Sequence, residues 1–159
     1  NIIKKSLKNF SGVQRRMTKI FSKNNIDFYD DYAHHPTEIE CILEGVKNVY
    51  KDRNIISIFE PHRYSRVISL KKEFAKSFRN SNLTLLCPIY AAGEKKDYKY
   101  SQSEFAKLIT KYSKTQVIII QNFKEIEKFL KKNLINKEIV IGMGAGTISK
   151  FMRELKNIL

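Results

Sequence analysis

All three histidines of the sequence fall in two short polar stretches. The first reads Asp30-Asp31-Tyr32-Ala33-His34-His35-Pro36-Thr37-Glu38 and the second Glu60-Pro61-His62-Arg63-Tyr64-Ser65-Arg66. An imidazole, with an ordinary pKa of about 6.5, exchanges a proton near neutral pH. A guanidinium forks onto a carboxylate or phosphate through two parallel hydrogen bonds. Arg63 and Arg66 stand three apart where a strand hands over to a helix, so both can lean over one helix N-terminus, itself a place for an anion. With His62 beside them, they read as a fork for a small carboxylate or phosphate. His34 and His35 are adjacent, and neighbours in extended backbone point to opposite sides, which makes a two-histidine metal site poor. Neither Cys41 nor Cys87 adds a ligand at zinc spacing, so no metal site is expected. That loop is expected to contact a polar substrate or nucleotide, with Thr37 capping a helix whose first turn carries Glu38.

Two further stretches draw attention. Gly142-Met143-Gly144-Ala145-Gly146 steps by two, lacks GxGxxG spacing, and has no acidic ribose ligand about 20 residues on, so it reads as a close backbone approach at a strand end. Ile89-Tyr90-Ala91-Ala92-Gly93-Glu94 suits either a ligand-facing loop or a tight turn. No GxxxxGK[ST] occurs, so the sequence carries no phosphate-cradling P-loop.

These residues need elements to hold them. Short Ile- and Val-rich runs at Ile26–Tyr32, Asn54–Phe59, Leu83–Ile89, Thr115–Ile120 and Lys137–Gly142 have the composition of strands buried on both faces. Helical spacing marks Thr37–Tyr50, Ser65–Phe78, Ser103–Tyr112, Phe123–Lys132 and Thr147–Asn157. Met17–Ser22 can pair with Ile26–Tyr32 as a hairpin across Lys23-Asn24-Asn25. The alternation predicts one α/β domain over residues 1–159: a mostly parallel, Rossmann-like sheet of about six strands with helices on both faces. In such sheets ligands gather at the carboxyl ends of the strands, where all four polar loops fall.

The sequence has 159 residues, 42% hydrophobic and 29% charged, which allows a buried core. No apolar run approaches the roughly 20 residues that span a bilayer, so no membrane span is expected. The opening Asn1-Ile2-Ile3-Lys4-Lys5 has neither initiator Met nor secretory features, and the chain is expected to be a piece of a longer protein. The two cysteines read as reduced core thiols of a cytoplasmic protein. Thirty basic against sixteen acidic residues give a net charge of +14. The lysines are scattered, without basic–aromatic interleaving, so they read as a solvated surface. A lysine-rich nucleic-acid-binding module is the competing reading, and would show steep salt dependence.

Asp31-Tyr32-Ala33-His34-His35-Pro36-Thr37-Glu38 resembles the signature of the Mur ligase C-terminal domain. Three more stretches resemble that family in order: Pro61-His62-Arg63-Tyr64-Ser65-Arg66, Ile89-Tyr90-Ala91-Ala92-Gly93-Glu94 and Met143-Gly144-Ala145-Gly146. Phe10-Ser11-Gly12-Val13-Gln14-Arg15-Arg16 looks like the family's way into the domain, with 1–16 as its hinge segment. The resemblance implies the last third of a three-domain, ATP-dependent amide ligase of peptidoglycan synthesis. Its own N-terminal and central domains hold the UDP-sugar and, with Mg2+, the ATP. Among Mur ligases the likeness is to the branch that joins L-alanine to UDP-N-acetylmuramate; a branch using another amino acid is the alternative. The resemblance implies that Arg16 reaches the ATP phosphates on closure and that Asp31 contacts the ribose. It implies that Tyr32, His34, His62, Arg63 and Arg66 form the L-alanine pocket, with a histidine such as His34 taking the ammonium proton. One departure is Thr147, where the family usually has Asp; a helix cap survives that change and a carboxylate role does not.

Overall fold

Five-residue runs such as Ile55–Phe59 and Ile139–Met143 carry no polar face, and they form the centre of the sheet with every residue buried. The computed structural model describes residues 15–159. Six strands appear there: β1 Thr18–Lys23, β2 Ile26–Asp31, β3 Ile55–Phe59, β4 Leu83–Leu86, β5 Gln116–Ile119 and β6 Ile139–Met143. The helices are α1 Pro36–Val49, α2 Tyr64–Ser69, α3 Lys71–Lys76, α4 Gln102–Ser113, α5 Phe123–Asn133 and α6 Ile148–Ile158. The sheet order is β1-β2-β6-β3-β4-β5. Only β1 runs antiparallel, paired to β2; the other four pairings are parallel. The expected α/β architecture is therefore present. The last strand, β6, is wedged between β2 and β3, which brings the loops after β2, β6 and β3 side by side.

Alternate side chains feed two cores. Tyr29, Phe59, Leu86 and Ile141 pack with Ile39 and Leu43 of α1, Phe74 of α3 and Phe105 of α4. Phe28, Ile58, Leu85 and Val140 pack on the other face with Ile126 of α5 and Met152 and Leu155 of α6. Each large side chain buried this way contributes about 1.5–3 kcal/mol. At the amino ends of the strands, Arg53 pairs with Asp27 and donates to the carbonyls of Asn25, Lys137 and Glu138. Burial alone would raise the Asp27 carboxyl, but hydrogen bonds from Lys19, Ser22 and Arg53 pull it down to about 2.

Several expectations need correcting. The helix expected over Ser65–Phe78 is two helices, broken at Leu70 with φ −110° and ψ 26°. The α1 N-cap is His35, not Thr37, because Pro36 takes the first helical position, where its missing N–H costs nothing. Cys87 is a buried thiol, pushed up by burial, whereas Cys41 is exposed on α1 and is no core thiol. Phe10 to Gln14, and the hinge segment up to residue 14, lie outside the described residues.

Candidate functional site

The end of β2 turns outward at Asp31, and its backbone is tied on two sides. Tyr32 N–H donates to Arg15 O at 2.8 Å, and Gly144 N–H donates to Asp31 O at 3.3 Å. The Asp31 carboxylate is buried and accepts from the N–H groups of Met17 and Ala33, each at 2.7 Å. Burial raises its pKa against those two donors. Asp31 thus braces the strand end and stands apart from the side chains that gather outside it. The Arg15 guanidinium lies 4.5 Å from the centre of the Tyr32 ring and donates to Gly144 O at 2.6 Å.

His34 Nδ1 lies 2.9 Å from Tyr32 O. A carbonyl only accepts, so Nδ1 carries a proton, and in the neutral form of the ring the lone pair lies on Nε2. Glu38 Oε2 is 3.5 Å from the same Nδ1 and accepts the N–H groups of His34 and His35 at 3.0 and 3.2 Å. Its other oxygen is 3.9 Å from Arg16 Nη1. Burial opposes ionisation of Glu38, but these donors and charges hold it below the usual range. His35 is exposed, turned from the cluster that half-buries His34.

The loop after β3 closes on this group. The His62 ring is 5.7 Å from the His34 ring, edge-on, and 5.5 Å from Tyr90, stacked. Arg66 Nη1 is 3.3 Å from His62 Nδ1. A guanidinium only donates, so here Nδ1 accepts and the ring proton sits on Nε2. Burial first, then the charges of Arg66, His34 and Arg63, lower the His62 pKa. Arg63 is exposed and has φ 70°, a conformation uncommon outside glycine; its N–H is held by Tyr90 O at 2.9 Å.

The expected helix N-terminus is not free for an anion. Ser65 N–H and Oγ–H donate to the Glu94 carboxylate at 3.1 and 2.5 Å, so the start of α2 is filled by the chain itself. What Arg63 and Arg66 can offer an anion is therefore their side chains alone. At the start of α6, Thr147 caps with no side-chain bond to its own helix; its hydroxyl donates to Glu60 Oε1 at 2.5 Å, and Ile148 N–H donates to Glu60 Oε2 at 3.2 Å. A carboxylate therefore does stand at that helix end, supplied from the neighbouring loop. Sequence reasoning missed Glu60 and Glu94. Their only local signal was an acidic residue flanking a polar loop.

Tyr32, His34, His62 and Arg66 thus converge on one rim, Arg63 adjoins them, and Arg16 is linked through Glu38. Two cations beside two imidazoles with differently engaged Nδ1 atoms can hold a small carboxylate and accept a proton next to it.

The family model for the Mur ligase glutamate ligase domain matches residues 15–146. The chain belongs to the Mur ligase family. A UDP-N-acetylmuramate–L-alanine ligase of Pelagibacter ubique is 51% identical to this Mur ligase domain over 159 residues, which are 100% of this chain and 34% of that protein. The same-named ligase of a Sulfurihydrogenibium species is 38% identical over 158 residues, 99% of the chain and 34% of that protein. This domain thus spans about a third of the length of the curated relatives it matches. The crystal structure of a UDP-N-acetylmuramate–alanine ligase of Thermotoga maritima superposes with a TM-score of 0.75 at 25% identity, covering 96% of the Mur ligase domain described here and 31% of that chain. A murein peptide ligase of Psychrobacter arcticus shares the fold, with a TM-score of 0.75 at 22% identity over 97% of this chain and 32% of that one. No described helix is long and apolar enough to cross a membrane.

Proposed function

We propose that this chain is the C-terminal domain of an ATP-dependent, cytoplasmic ligase that joins L-alanine to UDP-N-acetylmuramate in peptidoglycan synthesis, and so serves cell shape and division. The observation that carries the reading is the meeting of Tyr32, His34, His62 and Arg66 on one rim, within a chain whose similar relatives bear that name. Arg63 and Arg66 take the alanine carboxylate. A pocket between Tyr32 and the His62 ring that takes a methyl group would reject larger side chains by steric clash and exclude glycine only weakly, since one methyl is worth about 1–3 kcal/mol. His34 Nε2, the unprotonated nitrogen, removes the ammonium proton. ATP passes its γ-phosphoryl group to the muramyl carboxylate, giving the acyl phosphate and ADP; the freed amine then attacks the carbonyl carbon, the C–N bond forms, the C–O bond to phosphate breaks, and the second nitrogen proton leaves with the phosphate.

Arg16 turns from Glu38 to the ATP phosphates as the domains close, and neutralises their charge during transfer. A ribose contact by Asp31 belongs to the same proposal and requires closure to free one oxygen from its backbone donors. Magnesium would supply charge neutralisation on the phosphates when bound, held mainly by the central domain. The partners are the domain's own central and N-terminal neighbours, with UDP-N-acetylmuramate and L-alanine as substrates.

The test is turnover of the full-length enzyme with a panel of amino acids, repeated for Arg66→Gln. L-alanine should be preferred, and the variant should raise its KM roughly ten- to a hundredfold, the loss of one charge-assisted hydrogen bond, with KM for ATP unchanged. Preference for another amino acid, or an unmoved KM, overturns the assignment.

A further inference from the structure

Glu60 is an ionisable side chain that the chemistry above does not use, and it is only 4% exposed. Its backbone N–H donates to Met143 O at 3.0 Å, extending the β3–β6 ladder by one residue. Its carboxylate crosses to α6 and is held by the Thr147 hydroxyl at 2.5 Å and the Ile148 N–H at 3.2 Å. Among the described residues no basic side chain pairs with it. The positive end of α6 and one hydroxyl therefore offset its burial.

The surroundings are fitted to this carboxylate. A Cβ on Gly144 would stand 2.8 Å from Glu60 O, and one on Gly146 would stand 2.6 Å from Tyr90 Cγ. The two glycines thus let the last loop lie directly against Glu60 and Tyr90. Tyr90 in turn brackets the histidine loop: its N–H donates to Pro61 O at 2.7 Å, its carbonyl accepts Arg63 N–H at 2.9 Å, and its ring stacks on His62. Glu60 is the residue where the loops after β3 and β6 are fastened together, one position before Pro61-His62-Arg63.

We propose that Glu60 is a positioning residue: its charge, clasped by Thr147 and the start of α6, fixes the loop that presents His62, Arg63 and Arg66 to the amino-acid substrate. The proposal rests on the amino-acid pocket assigned above, though not on the identity of the amino acid. The clasp has room for one carboxylate. An aspartate at 147 would set a second one against Oε1, and like charges at that distance repel strongly out of water.

Three variants of the full-length ligase test this: Glu60→Gln, Thr147→Asp and the two combined. Each single change should raise KM for the amino acid roughly tenfold while KM for ATP stays within about twofold. The double variant, with one carboxylate restored to the clasp, should recover most of the loss. Thr147→Ser, which keeps the hydroxyl, should behave like the wild type and guards against misfolding of the harsher variants. Singles that move both KM values equally together with thermal stability, or a double variant as poor as the sum of its parts, would overturn the positioning role. If the wild type prefers an amino acid other than L-alanine, the same comparison is made with that substrate; the L-alanine assignment then falls and the role of Glu60 is judged on its own.

Discussion

Two imidazoles a ring's width apart would compete for the same proton unless their surroundings differ, and here they do. His34 donates from Nδ1 to a carbonyl, whereas His62 Nδ1 faces a guanidinium that has only protons to offer. Burial and the neighbouring cations hold the His62 ring below its ordinary value. Because the unfolded chain titrates nearer 6.5, it binds a proton in a window where the folded ring does not. Stability therefore falls as pH drops through that window. Arg66→Gln should move the ring's midpoint upward and make this acid loss shallower, though burial will keep part of the shift. Ring-nitrogen NMR titration of both proteins measures it, and an unmoved midpoint would show that the guanidinium charge is not a cause. At this scale the sequence was informative where residue type declares the chemistry, as in His62, Arg63 and Arg66. It was silent on Glu60, whose partners lie 87 and 88 residues away, and it misassigned the α1 cap because Pro36 moves the helix start forward.

Elements show the same division. Runs of buried aliphatics made β2, β3 and β6 visible, and the hairpin was legible from two asparagines. Asn24 and Asn25 have φ of 51° and 61°, the pattern of a two-residue turn with both central residues left-handed. Glycine suits the second place better than asparagine, so Asn25→Gly should stabilise the chain by up to about 1 kcal/mol, whereas Asn25→Val should cost about 1–2 kcal/mol. Urea unfolding midpoints decide it; a loss with glycine contradicts the turn type. What could not be read was strand order. A crossover helix says that two strands are parallel but not that a strand 80 residues later will insert between them, and it is this insertion of β6 that juxtaposes Gly144 with Asp31. The break at Leu70 was hidden for a similar reason, since nothing in Ser65–Phe78 interrupts helical periodicity.

Over the whole molecule, charge is divided by function. Lysines 107, 111, 124, 128, 131, 132, 150 and 156 are exposed along α4, α5 and α6. At the rim, by contrast, Glu38, Glu94 and Glu60 each occupy a helix start, so incoming anions meet arginine side chains rather than backbone amides. With no GxxxxGK[ST] stretch in its sequence, the 159-residue chain by itself should show neither ligase nor ATPase turnover. A coupled phosphate-release assay checks this, and activity above background would mean that the division of labour between domains is misread. The twisted backbone of Arg63 carries a longer-term consequence. A left-handed φ of 70° on a long side chain costs on the order of 1–3 kcal/mol, which glycine would largely relieve. Directed evolution that rewards heat tolerance alone would therefore discard this arginine early, and under the carboxylate-holding role proposed for it selection for throughput would bring it back.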